Sequence, residues 1–400
     1  MATSQEHVEL ARSIASQGAV LLKNDKVSQD GAPVLPLLRS QKIAIIGEAC
    51  GVAPDIDHES KTWTDASYFS IGGSSRVLSK DDLTLMDGMS RYGATTQICL
   101  EDDFAGVNKA LSGADVAIVC AGSTSTESAD RTTLRLDQDA LVDEVLRQGN
   151  EMKVPVVVLL LTAGVVVMPW SQAATGILLM FPSGQATGLA AADLLFGAVH
   201  PSGKLPVTIP AKEEDAMRPC IESACPYEEK LFVGWHLYDG RDVAYPFGFG
   251  LTYTSFEYLP GEMSDEQESG AKSLHVTVKN VGEQPGREIL QLYLRFPTTV
   301  PEIQQEPATQ LRGFHRTRLL QPGEAEEVVF KVGPGDMMVW EMQEDDWTMV
   351  YGRYSVGIGA SSRDLRLCGV FFHQLGVTKA QGVPLGPCPQ REFLLSADGR

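Results

Sequence analysis

The chain has 400 residues, 43% hydrophobic and 21% charged, a composition that fits a globular protein of roughly two or three domains. A formal net charge of −19 and no basic stripe argue against nucleic acid as a partner, because phosphate contacts need clustered Lys and Arg. No uninterrupted apolar window reaches about 18 residues, which argues against a membrane span, and Met1–His7 lacks the basic-then-apolar pattern of a signal peptide.

In chain order, His7–Leu22 carries Leu10, Ile14 and Leu21 at helical spacing and reads as a helix. Lys42–Gly47 (KIAIIG) is a short, nearly continuous apolar run ending in Gly, the pattern of a buried parallel strand. Asp81–Tyr92 reads as a helix, the surroundings of Ile98 as a short strand, and Phe104–Ser112 as a helix. Ala114–Ala121, Val154–Thr162 and Gly176–Met180 read as strands, with helices over Gln138–Gln148 and Gly188–Phe196. Strands separated by helices over about 200 residues predict a doubly wound α/β domain, residues 1–215.

The pattern then changes. Residues 216–259, rich in Pro, Gly and aromatics, read as an interdomain linker whose Phe247, Phe249 and Tyr253 pack on the α/β domain. Residues 260–375 show short alternating runs punctuated by Pro–Gly pairs, the signature of an antiparallel, immunoglobulin-like β-sandwich. Residues 376–400 read as a surface tail. Of the seven cysteines, Cys50, Cys99 and Cys120 lie in or beside apolar runs and read as small core residues. Cys220 and Cys225 are close enough in sequence to pair across a loop, which is left open. No CxxC and no His pair at ligand spacing is present, so neither a metal nor any other cofactor is expected.

The most informative stretch is Gly122–Leu136 (GSTSTESADRTTLRL), which follows the Ala114–Ala121 strand directly. Loops at the carboxyl ends of parallel strands are where ligands bind. This one offers the carboxylate Glu127 and then Asp130–Arg131, which either pair with each other or grip hydroxyls of a ligand. The bland alternative is a polar loop ending in a helix cap near Gln138. No GxGxxG or Walker sequence follows any strand, so a nucleotide site is disfavoured.

The segment Glu127-Ser-Ala-Asp130-Arg131-Thr-Thr-Leu134-Arg-Leu136-Asp-Gln138 resembles a signature of glycoside hydrolase family 3. Further stretches match in order: Gly18–Asn24, Leu35–Leu37, KIAIIG, Ile71–Val77 (IGGSSRV), Met168–Trp170, Pro182–Gly188, Leu195–Pro206 (LFGAVHPSGKLP), Tyr227–Asp239, Pro246–Thr254, Leu311–Phe314 and Pro322–Glu324. The resemblance spans about residues 7–370. It departs at Lys230, where the family has Gly, at His236, where Arg is common, and in the shortened Leu136–Asp137–Gln138.

The resemblance implies an α/β sandwich followed by a fibronectin type III-like domain, and a retaining hydrolase that releases terminal β-D-glucose or β-D-xylose. Glu127 is implied as the acid/base, with its pKa raised towards working pH by desolvation once the site is covered. The implied nucleophile is an Asp on an N-terminal TIM barrel that this chain does not contain, so a barrel in cis or in trans is an implied partner and the isolated chain is expected to be inactive. Trp63 is implied as a sugar-stacking residue or a loop anchor. Ser74 and Ser75 contact hydroxyls or cap a turn, and Asp130 and Arg131 belong to substrate binding. The alternative function is a non-catalytic carbohydrate-binding or assembly protein derived from the family.

Overall fold

The computed structural model describes residues 4–51, 64–77, 83–101, 104–220, 224–266, 269–297, 306–307, 309–374 and 383–389. The chain divides into two compact units. The first comprises Met1–Lys204, Ile209–Ala216 and Gly250–Tyr253; the second comprises Leu205–Thr208, Met217–Phe249 and Thr254–Arg400.

In the first unit, helix α1 (Gln5–Gly18) begins at Ser4, whose hydroxyl accepts the His7 amide. The helix stops at Gly18, four residues short of the expected end. Val20–Asn24 is instead strand β1, because its consecutive apolar side chains are buried in an antiparallel pairing with Gly176–Met180. Leu10 and Ile14, the apolar residues that suggested the buried face, are 57% and 62% exposed; Ala15 and Ser16 are buried in their place.

Strand β2 (Lys42–Ile46), helix α2 (Leu85–Ser90), β3 (Thr95–Cys99), α3 (Phe104–Leu111), β4 (Val116–Ser123), α4 (Asp139–Met152), β5 (Val156–Thr162), β6 (Gly176–Met180) and α5 (Thr187–Leu195) follow. They form a six-stranded sheet of order β1-β6-β5-β4-β2-β3, parallel except for β1. Strands β4, β5 and β6 are buried along their whole length, which is why they read as continuous apolar runs. The order reverses between β2 and β4: the chain leaves β2 towards β3, then returns to β2's other side. That gap is the topological switch point, where an open α/β sheet offers a crevice at its strand ends.

The cysteine reading needs correction here. Cys50 and Cys120 are fully buried as expected, but they are bonded to each other, with Cα atoms 5.2 Å apart. The bond ties the turn after β2 to β4. Cys220–Cys225 is also a disulfide.

After the short strands β7 (Ile209–Pro210) and β8 (Val243–Tyr245), the second unit is an antiparallel sandwich of β9 (Phe256–Asp265), β10 (Lys272–Asn280), β11 (Ile289–Arg295), β12 (Thr309–Arg316), β13 (Ala325–Val332), β16 (Gly352–Ser361), β17 (Asp364–His373) and β18 (Val383–Pro387). A separate hairpin, β14 (Met338–Glu341) and β15 (Asp346–Met349), lies between β13 and β16 in the chain. Leu274, Val276, Leu292, Phe296, Tyr354, Val356 and Phe371 fill its core. The expected tail is not a surface tail throughout: β18 pairs with both β17 and β9, and Cys388 is bonded to Cys368. Tyr253 packs on the α/β core as expected and donates to the Leu194 carbonyl at 2.8 Å. Phe247 instead stacks on Trp235, centroids 5.5 Å apart, beside Tyr293 within the second unit, and Phe249 lies against Tyr245. The 217–249 stretch supplies enough aromatic surface to pack within the second unit.

Candidate active site at the sheet switch point

Strand β4 runs into the Thr124–Asp137 loop, and the loop is pinned at both ends. The Asp137 amide returns to the Gly122 carbonyl at 2.9 Å, and the Gly122 amide donates to Gln138 Oε1 at 3.0 Å. Gln138, 6% exposed, passes its Nε2 on to the Tyr68 hydroxyl. Glu213 receives the Leu134 amide and the Thr133 hydroxyl at 2.7 and 2.9 Å. Both bonds favour its charged form and lower its pKa. Sequence reading did not single out Tyr68 or Glu213, because each is fixed only by contacts distant in the chain.

At the loop's crest, Glu127 meets the Gly72–Gly73–Ser74 turn that belongs to the β2 side of the switch point. The Gly72 amide donates to Ser125 O at 3.0 Å and the Glu127 amide to Gly72 O at 3.2 Å. Gly73 has φ +100, and a Cβ there would sit 2.3 Å from Glu127 Cβ. Only glycine permits this approach. The Ser74 amide and hydroxyl then both donate to Glu127 Oε2, at 2.7 and 2.5 Å. Next to it, Ser128 holds a left-handed φ of +67, and the Thr126 hydroxyl is buried with no hydrogen-bond partner among the described residues. A left-handed non-glycine residue beside a fixed carboxylate makes this loop a candidate for function.

The Glu127 carboxylate is exposed, and its pKa is lowered, chiefly by the Ser74 hydroxyl and then by the Ser74 amide. The expected rise belongs to a covered site; in this chain the carboxylate is exposed and held by two donors, which favour its charged form.

Of the other expected residues, Ser74 is in contact with Glu127, while Ser75 is exposed in the same turn, which closes from the Arg76 amide to Gly73 O at 3.0 Å. Asp130 is exposed. Arg131 NH1 and NH2 donate to the carbonyls of Val165 and Arg135 at 3.2 and 3.0 Å, so the side chain braces the loop. Burial lowers the Arg131 pKa. Trp63 lies outside the described residues. Trp170 is buried, as expected, and donates to Asp139 at 3.0 Å. Lys230, at the position the family gives to Gly, adopts φ +49. His236 is packed against Trp235, and burial depresses its pKa to about 4. Among the described residues no group of three or more His, Cys, Asp or Glu side chains is placed to hold a metal.

Residues 19–253 match the glycosyl hydrolase family 3 C-terminal domain, more than half of the chain. The chain belongs to glycosyl hydrolase family 3. Residues 288–362 match a fibronectin type III-like domain. Among curated relatives of this family member, thermostable β-glucosidase B of Acetivibrio thermocellus is 34% identical over 90% of the chain and 48% of its own length. Probable β-glucosidase L of Emericella nidulans is 32% identical over 92% of the chain and 54% of its own length. The chain thus spans about half the length of the curated relatives it matches. Among solved structures, a β-D-glucoside glucohydrolase from Trichoderma reesei superposes with a TM-score of 0.82 at 26% identity, covering 92% of the chain and 56% of that protein. β-Glucosidase 3B from Thermotoga neapolitana, solved with glucose, gives 0.78 at 28% identity, covering 96% and 55%.

Proposed function

We propose that the chain supplies the acid/base half of a retaining β-glucosidase or β-xylosidase site, with Glu127 as the proton donor and acceptor. The observation that carries this is the Glu127 carboxylate, fixed by Ser74 and Gly73 at the switch point between β2 and β4. A retaining mechanism needs a carboxylic acid that protonates the leaving oxygen and a carboxylate nucleophile about 5 Å away. After the glycosyl-enzyme forms, the same acid, now ionised, removes a proton from the attacking water.

Ser74 stabilises the ionised form, which suits the second step. The first step needs the protonated form. A surface that covers Glu127 favours that form by desolvation, since it removes water from the charged state without removing the Ser74 donors. The nucleophile and most of the sugar pocket are assigned to a partner barrel, in cis or in trans. Among the described residues, Asp130 and Ser75, both exposed on the same two loops, are open to sugar hydroxyls. Arg131 acts indirectly, by bracing the loop.

The test is nitrophenol release from aryl β-glucoside and β-xyloside. The chain is assayed alone and joined in frame to the part of the Acetivibrio thermocellus relative that lies outside the match. The joined protein is expected to turn over, and Glu127→Gln to reduce kcat by about 10²–10⁴. Turnover that survives Glu127→Gln unchanged sinks the assignment. No turnover in any form, with glycan still bound, favours a non-catalytic carbohydrate-binding role.

A further inference from the structure

The Thr124–Asp137 loop carries Glu127, Asp130 and Arg131, and three sets of bonds hold it. Its ends close on Gly122 and Gln138, and its crest meets the Gly72–Gly73–Ser74 turn. The third set grips the limb that descends from the crest. There Leu134 is held through both of its main-chain groups: its amide donates to Glu213 Oε1 at 2.7 Å, and its carbonyl accepts the Val167 amide at 2.9 Å. The Thr133 hydroxyl donates to Glu213 Oε2 at 2.9 Å and accepts the Arg135 amide at 3.1 Å. Both oxygens of Glu213 therefore reach consecutive residues of the loop. Glu213 itself stands on the Glu213–Asp215 turn just after β7, 79 residues beyond Leu134 but within the same compact unit.

The limb between crest and grip is short. Five residues separate Glu127 from Thr133, and Asp130 and Arg131 are among them. It folds back on itself at the Thr126–Ala129 bridge and passes through the left-handed Ser128. Such a limb has little slack, so a shift at Thr133 is passed on to Glu127 rather than absorbed. On its other side the limb is tied to the segment after β5, through Arg131 to Val165 and through Leu134 to Val167. The ionised form of Glu213 suits the grip, because Thr133 and Leu134 offer donors and a charged acceptor makes the stronger bonds. The Leu134 amide, then the Thr133 hydroxyl, and then the nearby Arg135 and Arg131 guanidiniums hold its pKa below the usual carboxylate range.

We propose that Glu213 is a positioning residue for the acid/base: by fixing Thr133 and Leu134 it sets where the loop holds Glu127 against Ser74. The catalytic consequence rests on the acid/base reading of Glu127; the mechanical link from Glu213 to Glu127 rests on the loop alone.

The link is tested first without turnover. Glu127 is titrated by ¹³C-carboxyl NMR in the full chain and in Glu213→Ala, its signal assigned by its loss in Glu127→Gln. Without the grip the crest draws away from Ser74, so Glu127 is expected to titrate at higher pH in Glu213→Ala. Glu213→Gln keeps an acceptor for the Leu134 amide and is expected to titrate close to the parent. In the joined protein, Glu213→Ala is expected to lower kcat on nitrophenyl β-glucoside about tenfold or more, with KM changed much less, while Glu213→Gln retains most of the parent's kcat. Thr133→Val removes one of the two bonds and no charge. It covers the case in which Glu213→Ala does not fold, which thermal melts report, and is expected to move Glu127 in the same direction by less. An unchanged Glu127 titration in folded Glu213→Ala, or in Thr133→Val where Glu213→Ala does not fold, overturns the proposal. So does an unchanged kcat in Glu213→Ala when Glu127→Gln abolishes turnover. Equal losses of kcat in Glu213→Ala and Glu213→Gln also overturn it, by assigning the effect to the charge of Glu213 rather than to its grip. Turnover that survives Glu127→Gln unchanged overturns the acid/base reading instead, and the titration still decides whether Glu213 positions that carboxylate.

Discussion

Gly73→Ala is a single methyl group placed where the candidate site has no room for it. The new Cβ lies 2.3 Å from Glu127 Cβ and 2.8 Å from Oε2, whereas ordinary contact begins at 3.4 Å. The nearest atom is the root of the side chain, so a rotamer change cannot relieve the clash, and the loop carrying Glu127 must retreat by more than about 1 Å from the Ser74 turn. At φ +100 the substitution also strains the backbone, by roughly 1–3 kcal/mol. For a unit of about 200 residues that is a fall in Tm of roughly 2–10 °C, which leaves the protein folded at 25 °C. The effect on rate is larger, since an ångström of misplacement costs about 10²-fold. The assay is kcat/KM on nitrophenyl β-glucoside in the joined protein, with a melt of the same sample. A folded Gly73→Ala protein with kcat/KM within about threefold of the parent would refute the claim that this approach positions Glu127.

Three further outcomes follow from other residues. Asp193, 3% exposed, accepts Arg12 Nε and NH2 at 2.6 Å each and the Tyr92 hydroxyl at 2.6 Å. Arg12→Met strands a buried carboxylate and is expected to cost about 3 kcal/mol in urea denaturation, against about 1.5 for Tyr92→Phe; the reverse order contradicts the ion-pair account. Lys230→Gly relieves a left-handed residue and is expected to raise stability by about 0.5–1 kcal/mol, read as a higher Tm, while a fall would show that Lys230 makes contacts worth more than its strain. Ser74→Ala removes the largest cause of the lowered Glu127 pKa, so Glu127 is expected to titrate at higher pH in ¹³C-carboxyl NMR of the chain. The sign follows from linkage: a depressed folded-state pKa stabilises the fold above the unfolded pKa, and that contribution fades as pH falls through the folded value. An unchanged titration would remove Ser74 from the account.

Where the sequence was legible, burial made it so. Strands β2, β4 and β5 lie in the middle of a sheet covered on both sides, so their apolar runs have one reading. Strand β1 was absorbed into the preceding helix because Leu21 continues the spacing of Leu10 and Ile14. What separates them is Gly18 and a pairing partner more than 150 residues away, which local periodicity cannot register. The same holds for β18, a five-residue strand containing Pro384 and Gly386, and for the Cys50–Cys120 and Cys368–Cys388 bonds, whose partners are 70 and 20 residues apart. At the candidate site, Glu127 and the Gly-Gly-Ser-Ser turn stood out as motifs, but their direct contact did not. Arg131 reads as either a loop-ordering or a ligand-gripping residue, and the two carbonyls that its guanidinium meets are ones that only the folded loop brings near.

The central claim, that Glu127 performs the proton transfers, is tested most directly by azide rescue. In the joined protein, Glu127→Ala is expected to keep some glycosylation with a nitrophenyl leaving group, which needs little protonation, and to lose the base that activates water. Azide attacks the glycosyl-enzyme without a base, so added azide should restore turnover and yield β-glucosyl azide, identified by NMR with net retention of configuration. No rescue, or a water-hydrolysis rate in Glu127→Ala equal to that of the parent, would contradict the assignment and place the proton chemistry elsewhere.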